Sequence, residues 1–481
     1  MEHINRRDFL KYGLGGAAAL VVGSEMPWME NSIYAAVHAT TLNFHITDAM
    51  KEMVTFNAIN PGARCYFWIY KENNFPAECP GVNIFTTQGD TVQLVITNDL
   101  DEPHAFYIPG MFNSGPIAPG QTVKKSFIAT KAGSFLYYDN MNAPVNRVMG
   151  LHGAFIVMPK APATGHRFTP YDNPTPAIQK LFDDLGTPGR QPFPSLGNAQ
   201  WPGLSWEEGD AVTDTPAFRQ YIWVTHEASP LLFQEVGSLP AGQLYNPTTF
   251  LNAFLNDPYA DTFKTGVFNR KAHYFTINGQ SGHFSHNNPF ICPNNRVGEP
   301  CIIRVLGAGL HVHSMHIHAN HMFNLTLDGQ MFDNLWWVDT MTNHPLGQFD
   351  WLVPYMRPPN IPNTRGIGFP DPPLTSVGPN PHPVWPPIEE LALFLPPLGT
   401  TADGLPTGVP IAVQMSPLCY PMHSHSEASQ TAQGGNYNCG LISGINFTGD
   451  RNTPGPGPGG ITTFPNFPLI HGPDKTGPAA G

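Results

Sequence analysis

Apolar and polar residues alternate along several short stretches of this chain. Val92, Leu94 and Ile96 alternate with polar residues between Thr91 and Thr97, which is the two-residue period of a strand with one buried face. Gly89-Asp90 precedes this stretch and predicts a turn between two strands. Similar stretches predict further strands at residues 82–88, 123–129, 134–138 and 153–158. Short strands separated by turns at this spacing predict a β-sandwich.

A second β-rich block follows the first. Its strand-like stretches lie at residues 220–226, 273–279, 301–306 and 440–447. The sequence between the blocks is rich in proline and glycine, which predicts a long linker with a short helix near Ala177–Leu185. Residues 354–410 form a second Pro-rich insertion. The predicted organisation is a leader (residues 1–39), a first domain (40–160), a linker (161–217), a second domain (218–450) and a flexible tail (451–481).

The composition narrows the fold class to all-β. Only 12% of the 481 residues are charged, against about 25% in a typical soluble domain. The chain has 47 glycines and 52 prolines, and long helices tolerate neither residue in their interior. The net charge of −12 argues against a nucleic-acid partner, since that function needs a basic surface. The 20 histidines are the remaining unusual feature.

The N-terminal segment predicts an export signal. Arg6-Arg7 precedes a short, weakly apolar run at residues 13–22, which resembles a bacterial twin-arginine (Tat) signal. Cleavage is expected near Ala36 or Ala39. The alternative, a membrane-anchoring helix, is disfavoured because the run is short and contains glycines, and no later segment predicts a membrane span. The expected location is therefore the periplasm or the extracellular space.

The six cysteines fall into three local couples along the chain. These are Cys65 with Cys79, Cys292 with Cys301, and Cys419 with Cys439. In an oxidising compartment local disulfides are the favoured expectation, and buried free thiols are the alternative. None of the couples has the C-x-x-C spacing of a zinc or redox site.

Histidines concentrate in two short segments. Five lie between His311 and His321, and residues 423–425 read His-Ser-His. Residues two apart on a strand point to the same face, so His316 and His318 share a face, as do the two histidines of the second segment. Two such pairs on neighbouring strands would bring four imidazoles together, a ligand set that favours copper or zinc over calcium or magnesium. The alternative is that these are hydrogen-bonded histidines without a metal.

These segments resemble motifs of the multicopper oxidases. His313-x-x-His316-x-His318 is similar to the H-x-x-H-x-H motif of that family, and His423-Ser424-His425 to its H-C-H motif. Residues 275–279 resemble the lead-in to the family's final domain, and residues 150–157 the segment that closes its first domain. The resemblance covers about residues 80–160 and 218–448. It implies two, or three, cupredoxin-like Greek-key β-sandwich domains with long Pro/Gly-rich loops, and copper as the cofactor.

The resemblance also implies a role for each matching histidine. His313 would be a ligand of the blue type 1 copper, and His316 would bind the type 2 copper. The type 3 pair would be bound by His318, His423 and His425.

Other ligand positions of the family carry different residues in this chain. Ser424 stands at the position of the copper-binding cysteine and Ser429 at that of a later type 1 histidine. A serine hydroxyl cannot supply the soft thiolate of a blue site. In the first domain His104 is the one matching histidine, and the second motif reads Tyr138-Asp139-Asn140. A disulfide within the last cysteine couple would brace the ligand loop.

Three functions are compatible with this pattern. The first is an exported oxidoreductase of the multicopper oxidase type with an altered or incomplete copper centre, which would use O2 and a small-molecule or metal-ion reductant. The second is a non-catalytic copper-binding or copper-handling protein on the same scaffold. The third is a structural protein that has lost most metal chemistry. The paired histidines favour the first two, and the family resemblance favours the first. An oligomer could complete a cluster across a subunit interface.

Overall fold

The structure is a computed structural model that describes most of the two predicted blocks. The described residues are 37–38, 41–53, 64–161, 164–185, 219–257, 269–288, 290–297, 300–318, 320–355, 399–400, 406–407, 418–432 and 439–450. Nearly all of the predicted leader, much of the linker and insertion, and the tail lie outside the described residues. Within the described part of the chain, no helix is long and apolar enough to cross a membrane.

The first block consists almost entirely of strands. They are β1 (Val37–His38), β2 (Thr41–Glu52), β3 (Arg64–Glu72), β4 (Ile84–Thr87), β5 (Thr91–Asn98), β6 (Tyr107–Ile108), β7 (Phe112–Asn113), β8 (Thr122–Ile128), β9 (Gly133–Tyr138) and β10 (His152–Met158). A single turn of helix, α1 (Val145–Val148), precedes β10. Helix α2 (Pro176–Leu185) follows β10 and confirms the helix predicted in the linker.

The second block contains the remaining elements. Its strands are β11 (Arg219–Ala228), β12 (Tyr274–Ile277), β13 (Asn294–Val297), β14 (Cys301–Gly307), β15 (His313–Ile317), β16 (Met322–Leu327), β17 (Gln330–Val338), β18 (Thr340–Asn343), β19 (Gln348–Val353), β20 (Gly399–Thr400), β21 (Pro406–Thr407), β22 (Leu418–Ser424) and β23 (Ile442–Asp450). Its helices are α3 (Pro230–Gly237), α4 (Pro247–Asn256), α5 (Gly282–Asn287) and α6 (Glu427–Gln430).

Two sheets form the first block. One has the strand order β1-β4-β10-β9-β6-β7 and the other β3-β2-β5-β8. Leu94 and Ile96 of β5 lie in the same apolar core as Phe155 and Val157 of β10. The alternation seen in the sequence therefore places one face of β5 against the opposite sheet, as expected for a strand with one buried face.

The second block repeats this arrangement. One sheet has the order β12-β11-β14-β19-β16-β17 and the other β13-β23-β22-β15-β18. Trp223 and Val305 of the first sheet share a core with Met315 and Met422 of the second. The all-β fold class, with paired sheets and connecting loops, is confirmed.

The two blocks pack against each other where β9 and β10 of the first meet β11 and β14 of the second. β10 and β14 are interior strands of their sheets. Both strands are buried at every residue. Their remaining apolar side chains, such as Ile156 and Ile302, form a second core with Val224 of β11 and Phe182 of α2. This double burial explains the continuous apolar run of β10 and the apolar residues on both sides of Arg304 in β14, because a strand covered on both faces needs no polar side.

A buried polar network links the same two sheets. Arg304 Nη1 donates to Ser134 Oγ at 2.9 Å and lies 3.5 Å from Asp350 Oδ2. Ser134 Oγ donates to Asp350 Oδ1 at 2.8 Å, and the Tyr171 hydroxyl donates to Asp350 Oδ2 at 2.6 Å. Because a buried charge is costly unless it is paired and hydrogen-bonded, this network holds the two blocks in one relative position.

The expectation of local disulfides is wrong. Five described cysteines are buried and form no disulfide: Cys65, Cys79, Cys292, Cys301 and Cys439. In the first couple the two Sγ atoms face different carbonyl groups, those of Tyr66 at 3.9 Å and Gly150 at 3.8 Å. Because Cys439 also carries a free thiol, the disulfide expected to brace the ligand loop is absent. The alternative of buried thiols is the one the structure contains.

Candidate metal centre

The two histidine segments lie on neighbouring strands. In the antiparallel pair of β15 and β22, His316 is directly opposite His423, and Met315 is opposite Ser424. The ladder continues past the end of β15, where the His318 N–H donates to the Pro421 carbonyl at 3.0 Å, and past the end of β22, where the His425 N–H donates to the Ser314 carbonyl at 2.7 Å. The pairing predicted from the two-residue spacing therefore occurs, and both His-x-His pairs point to the same side of the sheet.

Four imidazole rings meet on that side. We call them the four-histidine cluster: His316, His318, His423 and His425. The His316 ring centroid lies 5.0, 5.5 and 4.7 Å from those of the other three, in that order. The His423 ring lies 5.0 Å from the rings of both His318 and His425. His318 and His425 are exposed, whereas the other two are half-buried.

Hydrogen bonds fix the tautomers of the two inner rings. His316 Nδ1 donates to the Asp339 carbonyl at 3.1 Å and lies 2.9 Å from Thr340 Oγ1. His423 Nδ1 donates to the Ser424 carbonyl at 3.1 Å. Each ring therefore has Nε2 as its unprotonated nitrogen, and that of His423 accepts from His318 Nε2 at 2.9 Å. This is the usual arrangement of a metal-binding histidine whose other nitrogen is held by a carbonyl.

The cluster is suited to a metal in charge as well as in geometry. His318 Nε2 lies 2.9 Å from His423 Nε2, and one ligand atom of each of His316, His318 and His423 lies within 4.8 Å of the others. Burial, aided by the neighbouring imidazoles, lowers the pKa of His316 and of His423. Both rings are thus neutral at pH 7, which is the form that binds a metal.

His313 lies on the opposite face of β15, and the structure does not bring it to the cluster. It shares the buried side of the strand with Met315 and Ile317. Its Nε2 bonds to Glu227 Oε1 at 2.7 Å, while its Nδ1 is buried without a hydrogen-bond partner. His313 and His316 are three positions apart, and an odd spacing on a strand changes the face.

Glu227 of β11 is the partner of His313, and no pattern in the sequence indicated that pairing. It is fully buried and accepts from the Leu310 N–H at 2.7 Å in addition to His313. Burial alone would raise the pKa of this carboxyl, but the hydrogen bonds and charges of His311 and His313 hold it well below its usual value. A Cβ at Gly309 would lie 2.1 Å from the carboxylate, so glycine lets the backbone pass over Glu227.

Ser424 lies in a closed hydrogen-bond network. It is fully buried, and its Oγ accepts from the Ser314 N–H at 3.2 Å, the Ser426 N–H at 3.2 Å and the Ser429 hydroxyl at 2.8 Å. The two serines that stand at ligand positions of the resembling family thus bond to each other.

His104 is enclosed in the first block. Its Nδ1 lies 2.7 Å from Asp139 Oδ2, and both side chains are fully buried. Asn146 Nδ2 donates to the same carboxylate oxygen at 2.9 Å, and the Trp68 ring packs edge-on against the imidazole at 5.2 Å. His104 Nε2 has no hydrogen-bond partner. These contacts of His104 all lie within its own block, and none of them joins it to the four-histidine cluster.

Comparison with known proteins agrees with these features. Residues 74–162 match the multicopper oxidase family, and residues 3–23 match the signal sequence of the twin-arginine translocation pathway. The resemblance expected from the sequence is confirmed for residues 74–162, and export by the Tat pathway is confirmed. The chain is a Tat-exported, multicopper oxidase-like protein.

Several solved structures are similar to this chain. The blue copper oxidase from Nitrosomonas europaea is 16% identical, with 85% of each chain covered and a TM-score of 0.48. The copper nitrite reductase from the same organism is 14% identical, with 87% of this chain and 96% of that chain covered and a TM-score of 0.45. The laccase from Botrytis aclada is 11% identical, with 91% and 58% covered and a TM-score of 0.43. No curated protein matches the chain.

Proposed function

We propose that this chain is an exported copper protein with an altered multicopper oxidase centre, in which the four-histidine cluster binds the copper. The observation that carries the proposal is the meeting of four imidazole rings, 4.7–5.5 Å apart, on two neighbouring strands. Imidazole nitrogen suits copper, and copper(II) binds most tightly among the divalent first-row ions. The fit is supported by the carbonyls that hold the Nδ1 atoms of His316 and His423, because they leave Nε2 as the unprotonated nitrogen of each ring.

The favoured activity is oxidation of a small-molecule or metal-ion reductant with O2. Bound copper would supply one-electron exchange. The protein's own contribution is to hold neutral imidazoles in place through the Asp339 and Ser424 carbonyls, and to leave His318 and His425 open to solvent so that small reactants reach the cluster. Residue 424 is serine, so we do not propose electron transfer through a thiolate at that position.

A second candidate is a copper-binding or copper-handling protein without catalysis. It is favoured by the closed network of Ser424 and Ser429, which takes the place of two ligands that the resembling family would use for electron entry. On this hypothesis the exposed cluster would store copper or transfer it to another protein.

Copper content tests the binding that both candidates share. The protein purified after export should hold copper, measured by mass spectrometry and by the copper(II) EPR spectrum with nitrogen ligands. The double variant His316→Ala/His423→Ala should lose the EPR signal of the imidazole site. His344→Ala is the matched control, since His344 is an exposed histidine bonded to Asp328 and should leave copper unchanged. Equal copper in the double variant and the wild type would refute the proposed ligands.

Oxygen uptake separates the two candidates. The copper-loaded protein is supplied with a phenol or with a reduced metal ion, and O2 consumption is measured for the wild type and the double variant. Uptake by the wild type that the double variant lacks supports the oxidase. Uptake no greater than that of free copper at the same concentration supports the copper-binding protein.

A further inference from the structure

A second group of metal-binding side chains lies where the two blocks meet. Cys79 belongs to the loop before β4, His152 begins β10, and His226 is in β11. One ligand atom of each lies within 4.8 Å of the others, and the two imidazole rings are 4.5 Å apart. The three side chains are at most 2% exposed, and none belongs to the four-histidine cluster.

Both imidazoles are held by the same turn of helix. His152 Nδ1 donates to the Arg147 carbonyl at 2.9 Å, and His226 Nε2 donates to the Val148 carbonyl at 2.7 Å. Both carbonyls belong to α1. These bonds leave His152 Nε2 and His226 Nδ1 as the free nitrogens. His152 Nε2 is fully buried and has no hydrogen-bond partner, although buried polar atoms in folded proteins are almost always satisfied.

The surroundings keep the group neutral in the metal-free protein. Burial lowers the pKa of His226 to about 4 and that of His152 well below its usual value. Burial also raises the pKa of the Cys79 thiol to about 12. A metal ion that enters the group must displace the proton of the Cys79 thiol.

We propose that Cys79, His152 and His226 form a buried copper(I) site between the two blocks. One thiolate and two imidazoles form a soft, three-coordinate donor set. The thiolate cancels the single positive charge of copper(I), so the loaded site adds no net charge to a dry interior. Zinc would bring a second positive charge and prefers four ligands, and the group found among the described residues has three. On binding, the S–H bond is replaced by an S–Cu bond, one proton leaves to solvent, and the oxidation state does not change.

The three ligand atoms need to move only slightly closer together to bind an ion. Three ligand atoms at about 2.0–2.3 Å from a central ion lie ~3.5–4 Å apart, against the present limit of 4.8 Å. Gly150 allows Cys79 to sit close to the backbone, because a Cβ at residue 150 would lie 3.1 Å from the Cys79 sulfur.

The test uses the full-length protein in which the four-histidine cluster has been disrupted. The His316→Ala/His423→Ala double variant is titrated with copper(I) alone, under reducing conditions, against a chromogenic copper(I) chelator. It should bind one equivalent of copper, and X-ray absorption should show one sulfur neighbour. Adding Cys79→Ser should reduce the bound copper from one equivalent to none. Adding Cys301→Ser, the matched control for a buried thiol outside the group, should leave it at one.

Three other outcomes of this test would contradict the proposed copper(I) site. Absence of copper(I) binding in the double variant, copper without a sulfur neighbour, or equal copper loss with Cys79→Ser and Cys301→Ser would each refute it. Tighter binding of zinc than of copper(I) would refute the choice of ion. The X-ray absorption spectrum is measured on the double variant, in which Cys79 is intact. The test therefore remains valid even if the Cys79→Ser variant does not fold. Copper binding by the four-histidine cluster is tested separately. If that cluster does not bind copper, the wild type and the double variant will have equal copper(II) content.

Discussion

His226 should make the stability of the metal-free protein depend on pH below neutrality. The side chain is 2% exposed, and burial lowers its pKa from the ordinary 6.5 to about 4. In the unfolded chain the same imidazole regains the ordinary value. Protons therefore bind the unfolded state first as the pH falls, and the folded state is destabilised relative to neutral pH.

The size of the effect follows from the two pKa values. Above pH 6.5 the ring is neutral in both states and contributes no pH dependence. At pH 4 the unfolded chain is fully protonated at this site and the folded protein half protonated, so the linkage relation gives a loss of about 3 kcal/mol relative to pH 7. The loss begins near pH 6.5 and levels off below about pH 4.

Urea unfolding of the wild type and His226→Gln measures this loss. Glutamine keeps an N–H that can donate to the Val148 carbonyl but does not titrate. With a chelator present, the free energy of unfolding is measured at pH 7 and pH 4 by tryptophan fluorescence. The wild type should lose about 3 kcal/mol more than the variant between the two pH values. Titrating groups that do not interact with His226 cancel in this comparison, and equal losses in the two proteins would refute the reasoning.

Two further predictions concern buried polar groups. Ser424→Ala leaves two backbone N–H groups without an acceptor, and should lower the free energy of unfolding by about 2 kcal/mol in a urea titration; an unchanged midpoint would contradict the network. Arg304→Ala leaves Asp350 as an unpaired buried charge and should cost about 3–5 kcal/mol. Its control, Arg270→Ala, removes a partly exposed pair with Asp257 and should cost under about 1 kcal/mol. Similar costs for the two arginine variants would show that the Arg304 pair contributes no more than a surface pair.

The parts of the site that the sequence predicts depend on short spacings. His316 with His318, and His423 with His425, share a face because a strand has a period of two residues. The same period accounts for the buried face of β5 and for the placement of His313 on the other side of β15. These are local consequences of backbone geometry, so they can be derived without knowledge of which strands pair.

The parts that could not be predicted depend on contacts between distant segments. Glu227 bonds to His313, which is 86 residues away in the chain, and only the packing of β11 near the end of β15 brings them together. The cysteines illustrate the same limit. Their spacing suggested local disulfides, but Cys65 on β3 and Cys79 in the loop before β4 direct their Sγ atoms toward different carbonyl groups. Spacing along the chain carries no information about that direction.

The sequence by itself determined the fold class, the export signal, the paired histidines and the presence of a serine, Ser424, between two of them. Each of these depends on composition or on residues a few positions apart. The tertiary structure alone decided that β15 and β22 are neighbours, so that two pairs become one cluster, and that Cys79, His152 and His226 meet where the two blocks pack. The physical reason is that metal binding needs ligand atoms a few ångströms apart, and long-range packing sets those distances.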